Sequence, residues 1–197
     1  GFTAMMAVMA LQQHQITPDM GDILVTGASG GTGSMAIAIL ALLGYDVVAS
    51  TGREELADYL KSIGAKEVIG RLDAPTRPLA KTRWAGAIDS VGGDTLTAIL
   101  PEVHYGGSVA CFGMAGGSDF TASVYPFILR GVNLLGIDSV MCPTDYRITV
   151  WEQIADLIRD ERFDAIKQIE PLSAVPQLAV DILAGQVRGR IVIDVNQ

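Results

Sequence analysis

From residue 22 onward, short β-branched runs alternate with helical stretches, the pattern of a parallel sheet covered on both faces. Six runs read as strands: Asp22–Thr26, Asp46–Ser50, Glu67–Ile69, Gly86–Ser90, Ser108–Gly113 and Val132–Ser139. Helices are predicted near Thr32–Leu43, Glu54–Ile63, Asp94–Val103 and Tyr125–Arg130. Six strands are the full count of a doubly wound dinucleotide fold. The fold class is therefore α/β, a Rossmann-type six-stranded parallel sheet.

The two ends fit this sheet less well. Residues 2–11 are apolar on every helical face, and such a helix wants burial on more than one side. After the sixth strand come a helix near Thr144–Asp160, an extended piece at Ile166–Ile169, a helix near Val175–Ala184 and a strand at Arg190–Val195. If the sheet is complete at six strands, the last strand has no seat in it. Either these elements belong to a second module whose other part precedes residue 1, or they close the edge of the domain.

The strand ending at Thr26 runs into Gly27-Ala28-Ser29-Gly30-Gly31-Thr32-Gly33-Ser34 and then into an apolar helix. A glycine turn at a helix start brings bare N–H groups and the positive end of the helix dipole against a pyrophosphate. The strand–turn–helix setting is what gives a glycine pattern weight. A nucleotide-triphosphatase loop needs Lys after its last glycine, and Ser34 stands there. The same letters fit short-chain dehydrogenases, whose catalytic Tyr has a Lys four residues on. Here Tyr45, Tyr59, Tyr105, Tyr125 and Tyr146 are followed at that offset by Ala49, Ile63, Val109, Leu129 and Val150.

The second strand ends in Ser50-Thr51-Gly52-Arg53, where an NAD enzyme usually carries Asp or Glu for the ribose 2′-hydroxyl. The Thr51 hydroxyl, the Gly52 backbone and the Arg53 guanidinium suit a 2′-phosphate, which favours NADP(H). Thr51-x-x-Glu54 also reads as a capping box for the next helix, and the two readings are compatible. Arg71 follows the third strand, where it would stack on the adenine, join the phosphate clamp or be an ordinary solvated arginine. Asp89–Gly93, Gly113-Met114 and Asp138-Ser139 are expected to border the nicotinamide half, since ligands sit at the carboxyl ends of strands.

Composition narrows the class. The chain of 197 residues is 49% apolar and 18% charged, with 22 Asp+Glu against 14 Lys+Arg and a net charge of −8. That balance excludes disorder and makes nucleic acid an unsuitable partner. Its 22 glycines exceed the usual ~7%. Cys111 and Cys142 cannot build a disulfide scaffold and fit a reducing cytoplasm, and with His14 and His104 they show no metal-ligand spacing. The longest apolar run, Met35–Leu43, is far short of the ~20 residues of a membrane span. The start Gly1-Phe2-Thr3 has no basic n-region, and without an initiating Met the chain is expected to be a fragment or processed piece.

Together, Gly1–Ala4, Val25–Gly33, Ser50–Arg53, Trp84–Gly92, Pro126–Val132 and Gly136–Val140 resemble the quinone oxidoreductase branch of the medium-chain dehydrogenase/reductase superfamily, and more narrowly its NADPH-dependent acryloyl-CoA reductase group. The resemblance covers essentially the whole chain. It implies a two-domain enzyme with an N-terminal GroES-like catalytic domain that is absent here. Residues 1–165 then form the NADP(H)-binding domain, and 166–197 return to the missing one. The cofactor residues it implies are Ser29, Gly30, Gly31, Thr32, Thr51, Gly52, Arg53, Arg71, Met114, Ser139 and Arg190. It also implies zinc independence and a homodimer paired through the sixth strand, where Val132, Leu134, Leu135 and Ile137 supply an apolar edge; the cysteines, apolar runs and charge above add the expectation of a cytoplasmic protein with no membrane or nucleic-acid partner.

The expected chemistry is hydride transfer from NADPH to an activated C=C bond, an acryloyl thioester, or to a quinone. The cofactor supplies the hydride and the protein supplies position and charge stabilisation. No catalytic acid can be named, since Tyr105, Asp89 and His104 each read as structural. Two other classes compete: a non-catalytic NADPH-binding module, and a methyltransferase-like Rossmann domain. The latter is disfavoured because Thr51–Arg53 replaces the acid that holds an adenosyl ribose.

Overall fold

Ile23, Leu24 and Val25 are all buried because their strand has a neighbour on each edge and helices on both faces. In the computed structural model, which describes all 197 residues, this strand is β1 (Ile23–Val25) of a six-stranded sheet. The others are β2 (Val47–Ser50), β3 (Glu67–Ile69), β4 (Trp84–Asp89), β5 (Val103–Cys111) and β6 (Asn133–Gly136). Their order is β3-β2-β1-β4-β5-β6, with every pair parallel. The winding reverses between β1 and β4, which opens a crevice at their carboxyl ends.

Side chains alternate between two cores. Ile23 and Val25 of β1, with Val47 and Ala49 of β2, point into the larger one, and Leu24 and Val48 into the smaller. The larger core is covered by α1 (Phe2–Gln13), α2 (Gly31–Leu42), α3 (Ala57–Ser62), α6 (Thr144–Leu157) and α7 (Arg162–Ile166). The smaller lies under α4 (Gly93–Ile99) and α5 (Tyr125–Arg130).

The apolar N-terminal helix gets its two-sided burial inside this unit. α1 packs on β4 and β5 and is flanked by α2 and α6, with Met5, Val8 and Leu11 essentially solvent-free. The N-terminal helix, and α6 through Val150 and Ile154, therefore belong to the sheet domain and not to another module. The last strand does lie outside the sheet. β7 (Lys167–Pro171) and β8 (Arg190–Asp194) pair parallel in a sheet of their own, linked by α8 (Val175–Leu183).

Several boundaries differ from the sequence reading, among them β4, which starts at Trp84, and the sixth strand, which shortens to Asn133–Gly136. The helix expected to reach Val103 stops at Ile99, since Pro101 cannot continue it and Leu100–Glu102 form a 3₁₀ turn. β5 consequently starts at Val103, with Gly106 at φ +70° and a register shift opposite β4 between Trp84 and Gly86. The stretch Glu54–Ile63 divides into a 3₁₀ turn at Glu54–Leu56 and α3. β6 is an outer strand, as β3 is at the opposite edge, and has one backbone edge unpaired. Its neighbours Val132 and Ile137, and Leu134 within it, pack against the two cores, whereas Leu135 joins neither, and the free edge of the strand offers unpaired backbone hydrogen-bonding groups.

Candidate nucleotide-binding site

The loop after β1 is shaped by two glycines. Gly27 sits at φ +57°, and a Cβ there would fall on the Ser90 side chain. A Cβ on Gly33 would strike the Gly27 carbonyl oxygen and lie 2.9 Å from Ala28 Cα. Only a bare Cα lets the first turn of α2 approach the loop so closely. Gly33→Ala is therefore expected to cost about 1–3 kcal/mol of stability by overpacking, read as a lower urea midpoint at unchanged slope. Gly30 at the N-cap supplies no capping side chain, so the first N–H groups of α2 lack a side-chain partner at the positive end of the dipole.

At the end of β2 the hydrogen bonds can be followed atom by atom. The Arg53 guanidinium donates from Nε (3.2 Å) and Nη2 (2.7 Å) to Ser29 Oγ, from Nη2 to the Ser29 carbonyl (3.3 Å), and from Nη1 to the Val187 carbonyl (3.1 Å). Ser29 Oγ lies 3.1 Å from Thr51 Oγ1. Because Arg53 fills the acceptor side of Ser29, the serine donates its proton to Thr51. Thr51 Oγ1 also accepts from the Arg53 backbone N–H at 3.1 Å. It does not cap the following turn, whose N-cap has no side-chain bond, so the capping box read from Thr51 and Glu54 is not formed. Next to it, a Cβ on Gly52 would lie 2.5 Å from Arg71 Nε, which places the second guanidinium over that glycine.

What remains unspent here is donor capacity. Thr51 keeps its own hydroxyl proton, Arg53 keeps one Nη1 N–H, and neither Arg53 nor Arg71 is paired with a carboxylate. Two positive charges and unshared donors on a largely buried floor of Ser29 and Thr51 suit an anion.

These residues line one cleft of about 550 Å³ at the carboxyl edge of the sheet. Ser29, Gly30, Thr51, Gly52, Arg53 and Arg71 are on its wall. Gly31 and Thr32 open α2 beside it, and the Arg190 guanidinium lies against Gly31. Met114 is exposed, one residue before Ala115 and Gly116, which do line the cleft. Ser139 is not on this wall: its hydroxyl accepts from Thr3 at 3.0 Å and its carbonyl from Arg147 at 3.1 Å. The far wall includes Ser90, Val91 and Thr95, and the rim includes Gly185 and Val187. Ser90 and Val91 fall within the expected Asp89–Gly93 border. Nothing local marks Thr95, Ala115, Gly185 or Val187, and the last two arrive with the C-terminal segment.

The named acid candidates have other duties. The buried Asp89 carboxylate accepts from the Thr26 hydroxyl (2.5 Å) and from the N–H groups of Val91 (3.1 Å) and Gly92 (2.9 Å). His104 and Tyr105 sit at the start of β5, away from the carboxyl edge. Burial, with the Asp89 carboxylate adding to it, pushes the Cys111 thiol up. Cys111 should therefore be alkylated by iodoacetamide at neutral pH more slowly than free cysteine, and faster as pH rises, because the thiolate is the nucleophile. No three His, Cys, Asp or Glu side chains group closely enough to hold a metal ion.

Comparison with known proteins places the chain in a family. The zinc-binding dehydrogenase family profile matches residues 31–166. The chain is 53% identical over 199 residues to acrylyl-CoA reductase AcuI of Ruegeria pomeroyi, covering 100% of this chain and 60% of that one. It is 48% identical over 197 residues to the putative quinone oxidoreductase YhfP of Bacillus subtilis, covering 98% and 60%; that protein has been solved with NAD bound (TM-score 0.94, 47% identity, 99% and 60% covered). The yhdH oxidoreductase from Salmonella enterica, solved in complex with NADP, superposes at TM-score 0.95 with 44% identity, covering 99% and 60%. The chain thus spans about 60% of the length of the relatives it matches.

Proposed function

Given that the chain belongs to the zinc-binding dehydrogenase family, as the cofactor-binding region of a medium-chain dehydrogenase/reductase, we propose that its cleft binds NADP(H) for reduction of an activated C=C bond. The acceptor class is an acryloyl-CoA-like enoyl thioester, with a quinone as the alternative acceptor. The observation that carries the cofactor assignment is the donor surplus at the end of β2: a ribose 2′-phosphate offers several charged acceptor oxygens to Thr51, Arg53 and Arg71, whereas a 2′-hydroxyl offers one neutral oxygen. When bound, the nucleotide supplies the hydride. The chain's own part is positional. The bare first turn of α2, with Arg190 beside Gly31, would receive the pyrophosphate, the Thr51–Arg53 corner would hold the adenosine ribose, and the Ser90–Thr95 wall would border the nicotinamide half. Met114 and Ser139 are assigned to the cofactor on the resemblance.

Parallel titrations with NADPH and NADH, followed by nucleotide fluorescence, test the cofactor. A clear preference for NADPH is expected, and equal affinity defeats the assignment. Adding acryloyl-CoA or a quinone to the NADPH-loaded protein and following nucleotide absorbance tests the acceptor. Faster oxidation with the thioester supports the first acceptor class. Oxidation with neither, despite binding, is the outcome of the second reading, a non-catalytic NADPH-binding module.

The assembly we propose is a cytoplasmic homodimer joined by the free edge of β6, in which two outer strands pair and so hide each other's exposed backbone groups. Residues 166–197 act as a segment that returns to a separate catalytic domain. Sedimentation equilibrium should report the mass of two 20.8-kDa chains; a monomer mass across micromolar concentrations rejects the pairing.

A further inference from the structure

The C-terminal segment meets the sheet domain on the glycine loop itself. The Gly189 N–H donates to the Ser29 carbonyl at 3.0 Å, and Gly189 pairs with Gly30 as an isolated parallel bridge. Two residues earlier, the Val187 carbonyl accepts from Arg53 Nη1. Ser29 and Arg53 thus serve both as floor of the anion corner and as the dock for a segment that is distant in sequence.

A guanidinium is a planar fork, so two anchors on different edges fix its orientation as well as its position. Arg53 has them: Ser29 holds the Nε/Nη2 edge and Val187 holds Nη1. One anchor belongs to the loop after β1 and the other to the tail. With Val187 withdrawn, the side chain keeps its charge but is free to turn about the Ser29 contact. Both nucleotides need the loop, whereas only a 2′-phosphate needs the fork correctly aimed.

We propose that the main-chain carbonyl of Val187 is a specificity-determining group: by docking on the glycine loop, residues 187–189 aim Arg53 at the 2′-phosphate, so preference for NADPH over NADH depends on the tail. This rests on the reading of the cleft as an NADP(H) site. It makes Val187 a positioning residue whose side chain is irrelevant, so the lever for testing it is Gly189. That residue has φ +58°, and a Cβ there would strike the Ile166 carbonyl and lie 3.0 Å from the Tyr59 hydroxyl. The neighbourhood has little slack, because the Arg188 guanidinium already packs 4.4 Å above the Tyr59 ring. Adding one methyl should therefore lift 187–189, Val187 of the cleft rim included, off the loop, while every residue on the cleft wall keeps its own side chain.

The test is parallel NADPH and NADH titration of the wild-type chain, Gly189→Ala and Val192→Ala. Val192 is on β8, half-exposed and away from the loop, and serves as a control for general loosening of the tail. Gly189→Ala should weaken NADPH about ten-fold, the worth of one charge-assisted hydrogen bond, and leave NADH within about two-fold. Val192→Ala should leave the ratio unchanged. Equal losses for both nucleotides in Gly189→Ala, or an unchanged ratio, overturn the proposal. Should Gly189→Ala fail to fold, hydrogen exchange on the wild-type chain decides. By reciprocity of linkage, saturating NADPH should protect the 187–189 amides more than saturating NADH, and equal protection overturns the proposal. A wild-type chain with no NADPH preference defeats the site reading itself, and a preference that survives Gly189→Ala defeats only the role of the tail.

Discussion

Arg53→Ala is expected to weaken NADPH binding by about ten- to a hundred-fold while changing NADH binding by less than about two-fold, since a charge-assisted hydrogen bond contributes about 1.5–3 kcal/mol and each 1.4 kcal/mol is a factor of ten. The asymmetry follows from where Arg53 is. It stands at the end of β2 with Ser29, Thr51 and Arg71, and no carboxylate is paired with it. Losing it removes a charge from the 2′-phosphate and leaves a 2′-hydroxyl little affected. Arg53→Lys should fall between, because an ammonium keeps the charge but cannot span Ser29 and Val187 as a fork does. Raising ionic strength should narrow the NADPH advantage of the wild-type protein, since the corner opens to solvent. Comparable losses for NADPH and NADH in Arg53→Ala would mean that the arginine only supports the loop.

The largest stability effect is expected at Asp89. Its carboxylate has no solvent exposure and holds the Thr26 hydroxyl and two backbone N–H groups. Thr26 is tied in turn to Ser90, whose hydroxyl donates to the Thr26 carbonyl at 2.9 Å, so this one side chain joins the carboxyl ends of β1 and β4 beneath the cleft. Asp89→Ala orphans buried donors that each cost about 1–3 kcal/mol, giving a loss of about 3 kcal/mol once some find water. Asp89→Asn retains one acceptor oxygen but turns an NH₂ toward a donor, and should lose about half as much. Urea unfolding reads both as lower midpoints with unchanged slope. In protein that remains folded, both nucleotides should weaken alike, because Thr26 and Ser90 lie under the part of the cleft they share. A loss confined to NADPH would contradict this picture.

Most of the sheet domain was readable because its signals are local. β-branched runs, the glycines at 27, 31 and 33 and the apolar stretch after them specify strand, turn and helix from neighbours a few residues apart. The absence of an acid after Ser50 is likewise a local fact, and the structure brings Arg71 over Gly52 and Arg53 onto Ser29. Errors arose where one residue had two competing partners. Thr51 also read as a helix cap, and only the arrival of Ser29 and the Arg53 N–H at its hydroxyl showed that it does not cap the turn. The apolar Phe2–Leu11 helix announced a need for burial but not a location, which was settled by the space that α2 and α6 leave above β4 and β5. Gly185 and Val187 carry no signal at all, because their place on the cleft depends on β8 pairing with β7 and not with the main sheet. Periodicity and turn chemistry, which act over a few residues, determined the elements and the glycine turn between β1 and α2 from sequence. Which distant carbonyl meets a given guanidinium depends on how the whole chain closes on itself, and that was decided by tertiary packing.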